Sequence, residues 1–163
     1  MKRLSILRHA KSDWGDPGLD DFDRPLNDRG WKAARRMGRE LKERGIGFDL
    51  IIASPAARVR ETLDGVTEKL KLNVEIRHDE RMYGASEATL LAIIRELPES
   101  AHLPLLVGHN PGLEQLVAAL THGVAHKFPT AAFARIDLPA KRWADVEPGS
   151  GEIAELILPK ELD

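Results

Sequence analysis

Cysteine is absent from all 163 residues. That removes a disulfide framework, a thiolate nucleophile, thiolate zinc centres and iron–sulfur clusters together. Long apolar runs are missing too, since no stretch approaches the ~18 residues of a membrane span. The first apolar run is cut at Arg8 and His9, too early for the core of a signal peptide. The expectation is a soluble cytoplasmic protein with no membrane partner. Charge of one sign is not in excess either: 24 Lys and Arg face 26 Asp and Glu, for a formal charge of -2. Nothing global therefore recruits nucleic acid or an anionic membrane. What is present is 42% apolar and 31% charged residues, the proportions of a folded core under a well-solvated surface. The length fits one domain, residues 1–163, able to bury roughly two thirds of its unfolded surface without staples.

Leu4, Ile6 and Leu7 form a short apolar run ending at Arg8-His9, the pattern of a buried first strand. From Ala10 to Pro25 the chain is rich in Gly, Pro and Asp, and reads as a long loop of the kind that is functional or mobile. Asn27 or Asp28 caps a helix whose apolar positions are Ala33, Ala34, Met37 and Leu41, and Gly45 and Gly47 stop it. Phe48 to Ala53 is a second buried strand, and Ser54-Pro55 opens a second helix running to about Leu70. Val74 and Ile76 mark a third strand, Leu90 to Leu97 a third helix, Leu103 to Val107 a fourth strand and Leu113 to Leu120 a fourth helix. Two later runs, Ala131 to Leu138 and Glu152 to Leu158, read as an antiparallel addition at the sheet edge. The alternation predicts an α/β three-layer sandwich with a mostly parallel central sheet flanked by helices.

Ligands of such sheets bind beyond the carboxyl ends of the strands. Here those ends carry Arg8-His9, Ser54-Pro55 followed by Arg58 and Thr62, and Gly108-His109-Asn110-Pro111. If the strands are neighbours, one crevice collects two arginines, two histidines and two helix N-termini. Guanidinium forks and open backbone donors suit a phosphoryl dianion, and a neutral imidazole beside them suits a nucleophile. Arg77-His78 also ends an apolar strand, so an Arg-His pair there is no fingerprint by itself. On pattern alone, surface histidines and arginines in loops remain the other reading.

Leu7-Arg8-His9-Ala10-Lys11-Ser12, Ser54-Pro55 with Arg58 and Thr62, and Gly108-His109-Asn110-Pro111-Gly112 together resemble the histidine phosphatase superfamily, which includes the cofactor-dependent phosphoglycerate mutases. Arg24-Pro25-Leu26-Asn27 with Gly30 is similar to the family's approach to its first long helix. The short chain, Lys127 to Thr130 and the terminal Pro159 to Leu162 are similar to the SixA-type phosphohistidine phosphatases. The resemblance implies a phosphoglycerate mutase-like fold, with His9 as nucleophile and Arg8, Arg58 and His109 holding the phosphoryl oxygens. It implies no metal and no cofactor. Two departures stand out. Ala10 replaces a family glycine, and Gly15 follows Trp14 where mutase-like members have an asparagine, leaving Ser12 as a substitute phosphate donor. Asp79-Glu80-Arg81 with Tyr83-Gly84 resembles the segment carrying the mutase general acid, which makes Glu80 that acid. Lys11 is expected at the pocket rim.

The function expected from this resemblance is hydrolysis of protein phosphohistidine through a phosphohistidine intermediate on His9. Imidazole leaves far more readily than an alkoxide, so Glu80 should assist without dominating. A phosphohistidine-bearing protein domain is the expected partner. The alternatives are a phosphomonoesterase acting on a small phosphorylated metabolite, and a phosphate-binding module without turnover.

Overall fold

The computed structural model describes residues 1–123 and 125–162. Its ten main elements are β1 (Lys2–Arg8), α1 (Asp28–Glu43), β2 (Leu50–Ala53), α2 (Ala57–Leu70), β3 (Ile76–His78), α3 (Glu87–Arg95), β4 (Pro104–Gly108), α4 (Gly112–Leu120), β5 (Phe133–Leu138) and β6 (Glu152–Ile157). The six strands form one sheet in the order β3-β2-β4-β1-β5-β6. β1–β4, β4–β2 and β2–β3 pair in parallel, whereas β5 runs antiparallel to β1, and β6 antiparallel to β5. The sheet is thus mixed, with its parallel half at the expected positions and the late pair added at one edge.

Alternation along the strands splits the core into two layers. Leu4, Ile6, Leu50, Ile52 and Leu106 face the cluster containing α3 and α4, while Leu7, Ile51, Ala53, Leu105 and Val107 face the one containing α1 and α2. Trp143 is fully buried in the first layer and donates its indole N–H to the Ala101 carbonyl at 3.0 Å. α1 starts where its capping residue dictates: the Asn27 side chain accepts from the Gly30 N–H at 2.8 Å. Its Ala34, Met37 and Leu41 are buried, and α1 and α2 pack closely because Gly38 lets Val66 of α2 approach.

Two expectations shift. α2 begins at Ala57, so Ser54-Pro55 forms the turn before it. β3 covers Ile76 to His78 and excludes Val74, which instead packs against the α1/α2 layer. A strand only three residues long at the sheet edge needs little apolar sequence, so periodicity marks it poorly. No helix among the described residues is long and apolar enough to cross a membrane.

Candidate active site

The register carries the three central strand ends to one level. Arg8 lies opposite Gly108 and Ala53 opposite Val107, so His9, Ser54 and His109 leave the sheet side by side. The His9 backbone is pinned on both sides: its N–H donates to the Gly108 carbonyl at 3.1 Å, and its carbonyl accepts from Ala131 N–H at 3.0 Å. Thr62 ties this turn to α2, accepting from Ala10 N–H at 2.9 Å while donating to the Arg58 carbonyl at 2.6 Å.

The His9 ring has a single consistent tautomer. Nδ1 lies 2.7 Å from the Ala10 carbonyl oxygen, which can only accept, so Nδ1 carries the proton and Nε2 presents a lone pair. His9 is only 6% exposed. Burial foremost, with the charges of Arg58 and Arg8, pushes its imidazole down to about 3, against the Ala10 hydrogen bond that favours protonation. Burial and then Arg58 push His109 down to about 4, with Asp21 opposing. Both rings are neutral at pH 7, and their centroids are 5.2 Å apart.

Ser54 assigns the second tautomer. Fully buried, its hydroxyl oxygen accepts from Ala56 N–H at 3.2 Å and lies 2.8 Å from His109 Nε2. Among the described residues His109 Nε2 is the acceptor found for that buried hydroxyl proton, an assignment that puts the ring proton on His109 Nδ1. Among the described residues, four buried side-chain polar atoms lack a hydrogen-bond partner, and three of them are Arg8 Nε, Arg58 Nε and His109 Nδ1. Orphaned buried donors are costly, and all three belong to residues that line one pocket, a setting suited to an anion's oxygens.

That pocket, of about 320 Å³, is lined by Arg8, His9, Lys11, Ser12, Trp14, Arg24, Arg58, His109, Asn110 and Thr130. Ser12 and Lys11 are therefore in place, Ser12 buried and Lys11 at the exposed rim. Glu80 lies elsewhere. It is exposed on a short turn, Glu80 to Met82, and lines a separate groove with Arg77, His78, Asp79, Arg81 and Glu96. The turn touches the pocket through Tyr83, whose ring packs edge-on against His109 at 5.4 Å. Among the described residues lining the His9 pocket, none is a carboxylate.

Arg24 and Asp21, in the loop after His9, were not singled out as site residues by sequence reading. Arg24, 7% exposed, donates to Ser12 Oγ at 2.6 Å and to Asp21 Oδ1 at 3.1 Å. Asp21 takes both terminal nitrogens of Arg58, through its carbonyl at 2.7 Å and its carboxylate at 3.0 Å, and accepts from the Tyr83 hydroxyl. The Tyr83 bond first, then Arg58, hold the Asp21 carboxyl down at about 2. With both outer nitrogens taken by Asp21, Arg58 Nε is left without a hydrogen-bond partner. Asp21 is one of five aspartates between Ala10 and Pro25, and nothing local separates it from the other four.

The model of the histidine phosphatase superfamily (branch 1) matches residues 4–105. The chain belongs to that superfamily. An uncharacterised protein of Mycobacterium tuberculosis is 33% identical over 164 residues, covering 94% of this chain and 100% of its own. The crystal structure of a candidate phosphohistidine phosphatase SixA from Agrobacterium tumefaciens is 29% identical, with a TM-score of 0.83, across 97% of this chain and 98% of that one. A protein histidine phosphatase SixA complexed with tungstate gives a TM-score of 0.85 over 99% of each chain at 24% identity, a likeness of fold. Within the histidine phosphatase superfamily the chain falls in the SixA-type branch.

Proposed function

We propose that this histidine phosphatase hydrolyses phosphohistidine on proteins, with His9 as nucleophile. His9 Nε2 attacks phosphorus while its Nδ1 keeps its proton, the bond from phosphorus to the substrate's imidazole breaks to release a neutral ring that was already protonated on its other nitrogen, and the phosphoryl group rests on His9. Water then attacks the phosphorylated His9, releases phosphate and restores the neutral ring. Arg8 Nε, Arg58 Nε and His109 Nδ1 hold the three non-bridging oxygens, where charge stabilisation does most of the work in phosphoryl transfer. Ser12, its oxygen already accepting from Arg24, keeps its hydroxyl proton for the substrate, and Lys11 contributes charge at the rim.

The observation that carries the leaving-group assignment is the absence of a carboxyl group from the pocket lining. An alkoxide needs a proton from the enzyme as it departs, whereas a phosphohistidine ring protonated on its other nitrogen, an equilibrium with a pKa of about 6.5, leaves as neutral imidazole without one. The SixA-type likeness supports the same substrate class.

The test is turnover of a phosphohistidine-bearing protein and of a panel of phosphate monoesters by wild type and His9→Ala, with chelator present. Strong turnover of the phosphoprotein that His9→Ala abolishes, beside weak ester hydrolysis, is expected. Preference for one ester would replace the phosphohistidine assignment with a small-metabolite phosphatase. Tight phosphate binding with no turnover on either would replace it with a binding module.

A further inference from the structure

Large apolar side chains are seldom left in water without a reason when they cluster. Among the described residues seven are exposed, and four of them (Trp14, Leu19, Phe22 and Tyr83) lie on the two segments that border the His9 pocket. Two of them touch, Phe22 packing edge-on against Tyr83 at 5.3 Å, and Trp14 stacks on the guanidinium of Arg24, a pocket-lining residue, at 3.4 Å. Trp14 is 77% exposed. A small phosphorylated metabolite seated in a pocket of about 320 Å³ would meet only Trp14 of the four.

The charge around the mouth is reversed from the charge within it. The lining holds Arg8, Arg24, Arg58 and Lys11 and no acid. Outside, Asp13, Asp16, Asp20 and Asp23 are exposed on the same loop, and none has an ion-pair partner among the described residues. The fifth aspartate, Asp21, is turned inward to Arg58 and Arg24. A free polyanionic metabolite is repelled by such a loop on approach. A phosphoryl group surrounded by cations is not.

We propose that this aromatic and acidic loop is a docking surface for a protein whose phosphorylated histidine is flanked by lysine or arginine and by an exposed apolar side chain. The phosphoryl group enters the basic pocket, the apolar neighbour lies on Phe22 and Leu19, and the cationic flank faces Asp20 and Asp23. Lys127 lies on the facing segment, whose Phe128 carbonyl accepts from Arg8 and Asn110, so the cationic flank is directed to the 13–23 side. The inference rests on the phosphohistidine reading above and adds what surrounds the phosphoryl group. Complementary charge of this kind acts chiefly on encounter and specificity, and fades with salt.

Synthetic peptides with one central phosphohistidine test it, flanked either by Lys and Leu or by Glu and Leu, beside the free amino acid phosphohistidine. Wild type is expected to show kcat/KM about tenfold higher on the Lys-flanked peptide, a preference that shrinks as salt is raised. Asp20→Lys with Asp23→Lys is expected to abolish or invert that preference while leaving free phosphohistidine within about twofold. Those two carboxylates make no side-chain hydrogen bond or ion pair among the described residues. Equal rates on the two peptides, or a preference that survives the charge reversal, would overturn the docking surface. Phosphotyrosine peptides with the same flanks separate the two readings. A flank preference there without phosphohistidine turnover sinks the leaving-group assignment and keeps the surface. Phosphohistidine turnover indifferent to flank does the reverse.

Discussion

A serine hydroxyl has one proton to give, and Ser54, sealed from solvent, has His109 Nε2 within reach to take it. If that bond sets the ring's tautomer, Ser54→Ala frees the proton to move to Nε2 and removes the Nδ1 donor from a fraction of the molecules. Partners that orient an active-site imidazole in this way are worth about 10- to 100-fold in activity, so kcat should fall by that factor while KM moves little. The decisive measurement is the ¹⁵N shift of the His109 ring. Protonated-type Nδ1 in wild type and a mixed signal in Ser54→Ala are expected, with Ser54→Thr restoring both signal and rate. An unchanged shift in Ser54→Ala would leave Ser54 as packing alone. Glu80 gives the opposite expectation. Because its side chain lines the neighbouring groove, Glu80→Gln should keep phosphohistidine turnover within about twofold, whereas loss of a group that holds the phosphoryl oxygens costs about 10²- to 10³-fold. A Glu80→Gln loss as deep as that of His9→Ala would restore it as the general acid.

At the scale of elements, the site was legible wherever an apolar run stops abruptly at chemistry. β1, β2 and β4 each end that way, and their adjacency turns three separate motifs into one crevice. Arg77-His78 repeats the pattern without the consequence, because β3 is the sheet edge and His78 turns outward beside Arg60. Topology separates the two Arg-His pairs, and topology is not written in either pair. The pairing of Asp21 with Arg58 was equally illegible, since it joins positions 37 apart through a loop with no periodicity. Glu80 matched a motif, yet the turn that carries it brings Tyr83 to the pocket instead. One contact between elements is testable through glycine. A Cβ on Gly30 of α1 would lie 2.1 Å from the Lys11 carbonyl oxygen, and one on Gly38 would lie 2.4 Å from that of Val66. Both replacements by Ala should cost about 1–3 kcal/mol. They should differ in activity. Gly30→Ala pushes on the Lys11-Ser12 strip of the pocket and should lower kcat/KM at temperatures where it is folded, and Gly38→Ala should not. Thermal melts paired with kinetics decide it, and equal activity in the two variants would show that the Lys11 strip yields without moving Ser12.

For the whole molecule, keeping two neutral histidines beside three arginines ties stability to pH. The unfolded chain protonates His9 and His109 near 6.5, but the folded protein does so only near 3 and 4. Above 6.5 both states hold the rings neutral and stability is flat. As pH falls below 6.5 the unfolded state gains protons that the folded state refuses, so stability drops until the folded pKa values are reached. Asp21, held down at about 2, adds a loss of the same sign at lower pH still. Between pH 7 and pH 5, His9 alone should remove roughly 2 kcal/mol. Denaturant unfolding at the two pH values measures this, with His9→Ala losing roughly 2 kcal/mol less than wild type. The same melts carry the anion. Phosphate at 100 times its Kd should raise stability by about 2.7 kcal/mol, a shift of roughly 5–11 °C for a chain of this size. That gain should vanish in Arg58→Ala, where the Nε donor and its Asp21 anchor are both lost. An identical pH slope in His9→Ala and wild type would mean that His9 is protonated in the folded protein at pH 5. The neutral nucleophile would then have to be supplied by substrate binding, not by the fold.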